Sequence, residues 1–318
     1  MTKFIVYNVQ LLPTTTAIEN VGAAGYRRLL ASLRDLNIMH RRDRTLESFH
    51  QALSRDTFFG PSEFNFPAGF VYGFFIKYTR TNMVSDLNRR KVVFHNKTNS
   101  MTVSKETKIP FVFNTRTHYL AIDGAAGISQ ESLTYALKTL FEKAKGEHFP
   151  EYDLHINLLA SAKDIEQILS SATAFKRIAV DLTFQNGGGK TQEFLKEMRA
   201  SRTQRLRVEA SGGTGKIAKL PAFMEEMVRA AALVGSLNLT YYLNDTPRKQ
   251  TYSSENSPLA FVVRRSSSDD ETRYFERVKT QLSELTMLAE EEADAVHQPS
   301  EEDESQFLKA DGAADEDI

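Results

Sequence analysis

No cysteine occurs anywhere in the 318 residues. That absence removes disulfides, thiolate zinc sites, iron–sulfur ligation and cysteine nucleophiles together, so any metal chemistry would rest on histidine and carboxylates. Long apolar runs are missing as well. Nothing approaches the roughly 20 residues that a membrane-crossing helix needs, and the apolar run in the opening MTKFIVYNVQLLP is too short for a secretory leader and reads as a strand. The expectation is a cytoplasmic protein with no membrane partner. Basic residues are scarce in one region only. From Asp269 to Ile318 four Lys and Arg stand against seventeen Asp and Glu, a net of −13, whereas residues 1–268 hold thirty-six basic and twenty-four acidic side chains, a net of +12. The whole-chain charge of −1 hides a basic body joined to an acidic tail. A polyanion is the partner this division suggests for the body, with a self-masking or partner-binding role for the tail.

What is present is ordinary globular composition, 41% hydrophobic and 25% charged, in a chain long enough for two modest domains. Lys3 to Leu12 reads as a strand ending at Pro13, and the spacing of Leu29, Leu30, Leu33 and Leu36 predicts a helix over 17–36, followed by a short one around 47–55. Nine aromatics between Phe58 and Tyr78 predict a buried strand from Gly69 with an aromatic loop leading into it, in preference to a platform for stacking bases. Further strands are expected at 91–94 and 109–123, the latter a hairpin turning at Asn114 to Arg116, then a helix from Ser129 to about Lys145. Beyond it, strict alternation marks strands at 152–159, 175–184, 204–210 and 236–243, with a fifth at 259–265. Helices separate them at 161–172, 191–202 and 220–234, and an amphipathic helix closes the series from Asp270 to about Glu292. Alternating strands belong in sheets with one covered face. The predicted fold class is therefore α+β: two domains, 1–148 and 149–295, each a mainly antiparallel or mixed sheet with helices packed on one face, plus a C-terminal helix. The acidic segment 296–318 is expected to be disordered.

Two glycine segments each follow a strand, but neither has phosphate-loop spacing. In Asn186 to Thr191 the first glycine of GxxxxGK would fall at Phe184. In Gly212 to Lys216 it would fall at Ala210, and the hydroxyl position is Ile217. Both loops could still present backbone N–H groups and a lysine to a phosphate. Asp153 and His155 share a strand face, yet no second histidine pair or HExxH accompanies them. Glu106-Thr107-Lys108, with Asp86 upstream, has the ExK form of some metal-dependent nucleases. No catalytic residue, metal or cofactor is expected. The basic positions are more coherent: Arg205 and Arg207 share the polar face of one strand, Lys190, Lys216 and Lys219 stand at helix starts after the glycine segments, and Arg27, Arg28 and Arg34 form a second basic face. A charge surplus of this size attracts phosphates without reading bases.

The segments KFIVYNVQLLP, THYLAIDG and YDLHINLL followed by FKRIAVDLTF resemble an uncharacterised bacterial family, domain-of-unknown-function family 4747, over roughly residues 1–285. More distantly, the two-part layout with a closing helix is similar to the phage-exclusion protein RexA. That resemblance implies non-specific DNA binding in defence against phage. The expected function is thus nucleic-acid binding, DNA more than RNA, with a homodimer and defence-operon proteins as further partners. The alternatives are a metal-dependent nuclease or nucleotide-processing enzyme with a non-standard motif, and an oligomeric adaptor without nucleic acid.

Overall fold

The computed structural model describes residues 1–15, 18, 21–86, 88–96, 102–183, 201, 203, 205–243, 248–265 and 270–295. Its centre is β1 (Thr2–Pro13), whose alternate side chains enter two different cores. On one edge β1 pairs with β8 (Tyr119–Asp123), and the sheet continues through β7 (Val103–Asn114), β4 (Phe70–Arg80), β3 (Thr57–Asn65) and β2 (Gln51–Ala52). The other edge is shared end to end by β9 (Tyr152–Leu158), which pairs with residues 7–13, and β14 (Ala260–Val263), which pairs with residues 2–5. Every pairing is antiparallel.

Ile5, Tyr7, Val9 and Leu11 of β1 point to one face. There they meet Tyr26, Leu29, Leu30 and Leu33 of α1 (Ala23–Arg42) and Leu133, Leu137, Leu140 and Phe141 of α3 (Gln130–His148). Phe59 stacks on Phe75 across neighbouring strands in the same core, Phe111 lies tilted against Phe75, and Phe64 meets Phe75 edge-on, so the aromatic run is core material. The expected aromatic loop is strand β3. Consecutive aromatics hide the period of a strand that is packed against helices on one side and a neighbouring strand's side chains along its length. Likewise the short helix expected over 47–55 is only α2 (Leu46–Phe49), because Gln51 and Ala52 pair with Phe59 and Phe58.

Phe4 and Val6 point to the opposite face, which α6 (Glu271–Ala295) covers with Tyr274, Phe275, Val278 and Leu282. The Phe275 ring stacks on Tyr72 at 4.5 Å and meets Phe74 edge-on. This sheet is therefore sandwiched, with α1 and α3 on one side and the C-terminal helix on the other.

A second sheet, ordered β11 (Arg205–Ser211), β10 (Ala172–Thr183), β12 (Gly235–Leu243), β13 (Lys249–Ser253), is covered on one face by α4 (Ala162–Ser171) and α5 (Ala222–Val234). Ser161 caps α4 by accepting the Asp164 amide at 3.3 Å. Sheet membership changes at Ala160 and again at Pro258, which face one another in an isolated bridge. The strand at 152–159 thus pairs with β1, beyond the 148/149 boundary read from the sequence, and so does the expected fifth strand of the second half. Periodicity reports burial on a face, and it carries no information about which distant strand is the neighbour. The chain is α+β, with both large sheets antiparallel and a C-terminal helix.

One buried polar trio lies between α1 and the sheet. The neutral His50 ring donates from Nε2 to Asn37 Oδ1 at 2.9 Å and accepts from the Tyr78 hydroxyl at 3.0 Å. Gly60 passes directly over it, where a Cβ would stand 2.1 Å from the ring.

Candidate nucleic-acid interface

The open face of the second sheet follows from its register. Leu206, Val208 and Ala210 of β11 turn inward with Ile178, Val180 and Leu182 of β10. The alternate set, Arg205, Arg207 and Glu209, stands on the uncovered face opposite Thr183, Asp181 and Ala179. Arg205 and Arg207 therefore share one face, as the alternation predicts. Their charges are not equally available. Arg205 grips Asp181 with two hydrogen bonds, Nε to Oδ1 at 2.8 Å and Nη2 to Oδ2, and these hold the Asp181 carboxyl below the usual carboxylate range despite partial burial. Arg207 lies 3.9 Å from the same carboxylate and remains 78% exposed. Arg177, further along the open face, pairs with Glu209 at 2.9 Å.

The other expected contacts divide in the same way. Lys219 is exposed, and Lys216 lies over the Tyr242 ring at 3.9 Å. Lys190, the first glycine segment and the helix expected over 191–202 lie outside the described residues. The second glycine segment does not open a helix. Its backbone folds back so that Ile217 pairs with Phe175, five residues ahead of α5, and Lys176 donates to the carbonyls of Gly213 and Gly215. The Gly213 and Gly215 amides are themselves engaged, with Ser211 Oγ and the Gly212 carbonyl, so this turn offers carbonyls to a cation where N–H groups for a phosphate were expected. On α1, Arg27 donates to the Phe66 and Pro67 carbonyls, Arg34 pairs with Asp35 and lies over the Phe66 ring, and Arg28 meets His148 at 3.3 Å. Two of these three therefore hold the 66–67 connection against α1, and only Arg28 is exposed.

Of the alternative motif, Lys108 pairs with Glu63 at 2.8 Å and Asp86 accepts the amides of Asn88 and Arg89 in a turn. Among the described residues, no three His, Asp or Glu side chains are grouped so that they could hold a metal ion. No described helix is long and apolar enough to cross a membrane.

The Asp153–His155 face, by contrast, acquires company. Cross-strand register places Gln10 opposite His155 and Asn8 opposite Asn157, all on the side of the sheet away from α1 and α3. The Asn157 amide donates to Thr183 Oγ1 at 2.8 Å, which ties β9 to the end of β10 beside Arg205. Burial pushes the His155 imidazole down from the ordinary histidine range, against the Asp153 charge, which raises it. A polar seam thus joins the two sheets where the chain leaves β10 and returns at β11.

Sequence reasoning missed two further features. Gln10 and Asn8 look like ordinary residues of an apolar strand until β9 is known to be the neighbour. The second is a partner: the expected strand at 91–94 is β6 (Lys91–His95), but it pairs with the unforeseen β5 (Met83–Asp86) in a hairpin that stands apart from both sheets with Met83, Val84, Val92, Val93 and Phe94 exposed, Val93 at 70%. Its signal was available in two short apolar strands around the turn carrying Arg89 and Arg90, the latter at φ 49°.

The family described as domain of unknown function (DUF4747) matches residues 2–280, from β1 into α6. The chain belongs to that family. The match takes in both sheets, so the DUF4747 region of this protein includes the seam and the open face alike. No curated protein matches the chain, and a likeness to RexA is not shown.

Proposed function

We propose that this DUF4747 protein binds nucleic acid, DNA in preference to RNA, mainly through phosphate contacts in the cytoplasm. The observation that carries this reading is the net charge of +12 over residues 1–268, a surplus that attracts phosphates without sequence readout. Arg207 and Lys219, exposed on the second unit, are the contacts favoured first, with Lys216 and Arg205 beside them and Arg28 on α1. Arg27 and Arg34 rank behind them, since carbonyls and an aromatic ring already engage them. The role in prokaryotic antiphage defence rests on the resemblance to RexA alone, and a homodimer or defence-operon proteins are the partners to seek.

The test is binding of the full chain, and of a chain ending at Glu290, to labelled double- and single-stranded DNA and RNA across a salt series with magnesium present. Affinity in the micromolar range or tighter with a steep salt slope is expected, since each phosphate contact adds about 0.7 to 0.9 to that slope. The shortened chain should bind more tightly if the acidic tail competes for the basic body. Absence of binding by both forms at low salt overturns the reading, and strand cleavage would move the assignment to a nuclease.

A second reading, an adaptor that binds protein, is favoured by the β5–β6 hairpin, whose apolar side chains are exposed although both large sheets have buried cores.

A further inference from the structure

Gln10 is fully buried, yet neither its Oε1 nor its Nε2 has a hydrogen-bond partner. Thr117 Oγ1 is buried and unpartnered too. The Val9 amide, next to Gln10, donates to the carbonyl of His118, which follows Thr117 in the turn linking β7 to β8, while His155 stands opposite Gln10 in β9. A buried amide with both ends unsatisfied is costly, and folded proteins keep such groups for a reason. Gln10 and His155 lie in the seam, whose described polar closure is the bond from Asn157 to Thr183; Arg205 stands beside Thr183 at its rim, and Arg207 is next along the open face.

We propose that the seam is a nucleotide site that opens between β9 and the end of β10. The Gln10 amide and the Thr117 hydroxyl would hydrogen-bond a base edge, His155 would lie against the ring, and Arg207 would take the phosphate. The chemistry selects this ligand. A planar fork of one donor and one acceptor is what a base edge matches, an imidazole offers a ring face, and a guanidinium at the mouth suits a phosphate. The same groups would accept a free nucleotide or one nucleotide of a single strand. A base inside an intact duplex cannot enter. The site deepens the nucleic-acid reading and rests on it only for the strand-bound form of the ligand.

The test uses the full chain and two variants that keep shape while removing the unsatisfied groups, Gln10→Leu and Thr117→Val. Binding is measured to mononucleotides, to short single strands of each base and to a blunt duplex, and Tm is recorded without ligand. Each variant should raise Tm by a few degrees, because a buried unpaired polar group is gone. Each should also weaken mononucleotide and single-strand binding about tenfold or more and level the differences among bases. Duplex affinity and salt slope should not move, since no charge has changed. If both variants lower Tm, or leave mononucleotide and single-strand affinity as it was, the site is overturned, and retained duplex binding would show that the nucleic-acid reading survives without it. If wild type binds mononucleotides but no strand, the site stands with free nucleotide as its ligand and the nucleic-acid reading falls. If wild type binds neither mononucleotides nor single strands, the site is overturned.

Discussion

The amide of Leu259 donates to the carbonyl of Leu159 at 2.7 Å, and both residues bond Val6 on β1, Leu159 to its carbonyl at 2.9 Å and Leu259 to its amide at 3.1 Å. The line of strand that ends with β9 is therefore taken up again by β14 on the same edge. Everything between, α4 through β13, is a unit set into that line, attached by two neighbouring chain crossings.

Removal of the inserted unit is the first consequence to test. A chain in which residues 161–257 are replaced by a few glycines and serines should fold, because Leu159 and Leu259 already touch and the closing loop is short. Circular dichroism and a cooperative urea transition would report it. Loss of cooperative unfolding would mean that the first sheet depends on the second.

The His50 trio predicts a pH dependence of stability. Burial, reinforced by Arg41, Lys143 and His40, pushes the His50 pKa down to about 4 from an ordinary 6.5. The unfolded chain therefore binds the proton more readily, so the contribution is full above about pH 6.5 and is lost as pH falls toward about 4, by up to about 3 kcal/mol. His155, shifted the same way, adds to it. Urea midpoints measured across that window should fall steeply for wild type and less for His50→Gln. Gly60→Ala should destabilise at any pH, by about 1–3 kcal/mol, through the clash with the ring, and His50→Ala in the same chain should recover part of the loss.

Asp181→Asn separates ion pairing from ligand binding. The pair is partly exposed, so the stability lost at neutral pH should stay below about 1 kcal/mol. Releasing Arg205 should strengthen DNA binding several-fold and steepen the salt slope by about 1. Unchanged affinity in filter binding or anisotropy would remove Arg205 and its face from the contact set.

Phe275→Ala should cost about 3–5 kcal/mol, since the ring is fully buried between Tyr72, Phe74 and Tyr274. Ending the chain at Glu290 keeps that contact and should shift Tm little. Thermal unfolding of the two proteins side by side checks both, and it also establishes that the shortened chain is a fair comparison in binding experiments.

Much of the local structure was legible. Leu29, Leu30 and Leu33 announced α1, Ser129 and Ser161 marked helix starts, and Leu237, Leu239 and Tyr241 gave a strand its buried face. Partnership was not legible. Leu154, Ile156 and Leu158 alternate as they would in either sheet, and only the contact with Tyr7, Val9 and Leu11 decides which one holds them. The same limit applied to the interface. Arg27 carries the charge that the sequence advertises, but the carbonyls of Phe66 and Pro67 that engage it lie far along the chain. Arg205 and Arg207 were assigned to a common face because strand alternation is local, whereas the acid that neutralises one of them sits on another strand.

The position of β14 also orders events in time. Residues 2–13 leave the ribosome long before residues 260–263 exist, a delay on the order of 10–50 s at ordinary rates of synthesis. During that interval the edge of β1 from Thr2 to Ile5 has no neighbour, and Phe4 and Val6 have no helix above them. A strand made early is thus among the last to be finished. A nascent chain stalled before β14 would present an unpaired edge beside bare aromatic side chains, the combination on which chaperones act and from which aggregates grow.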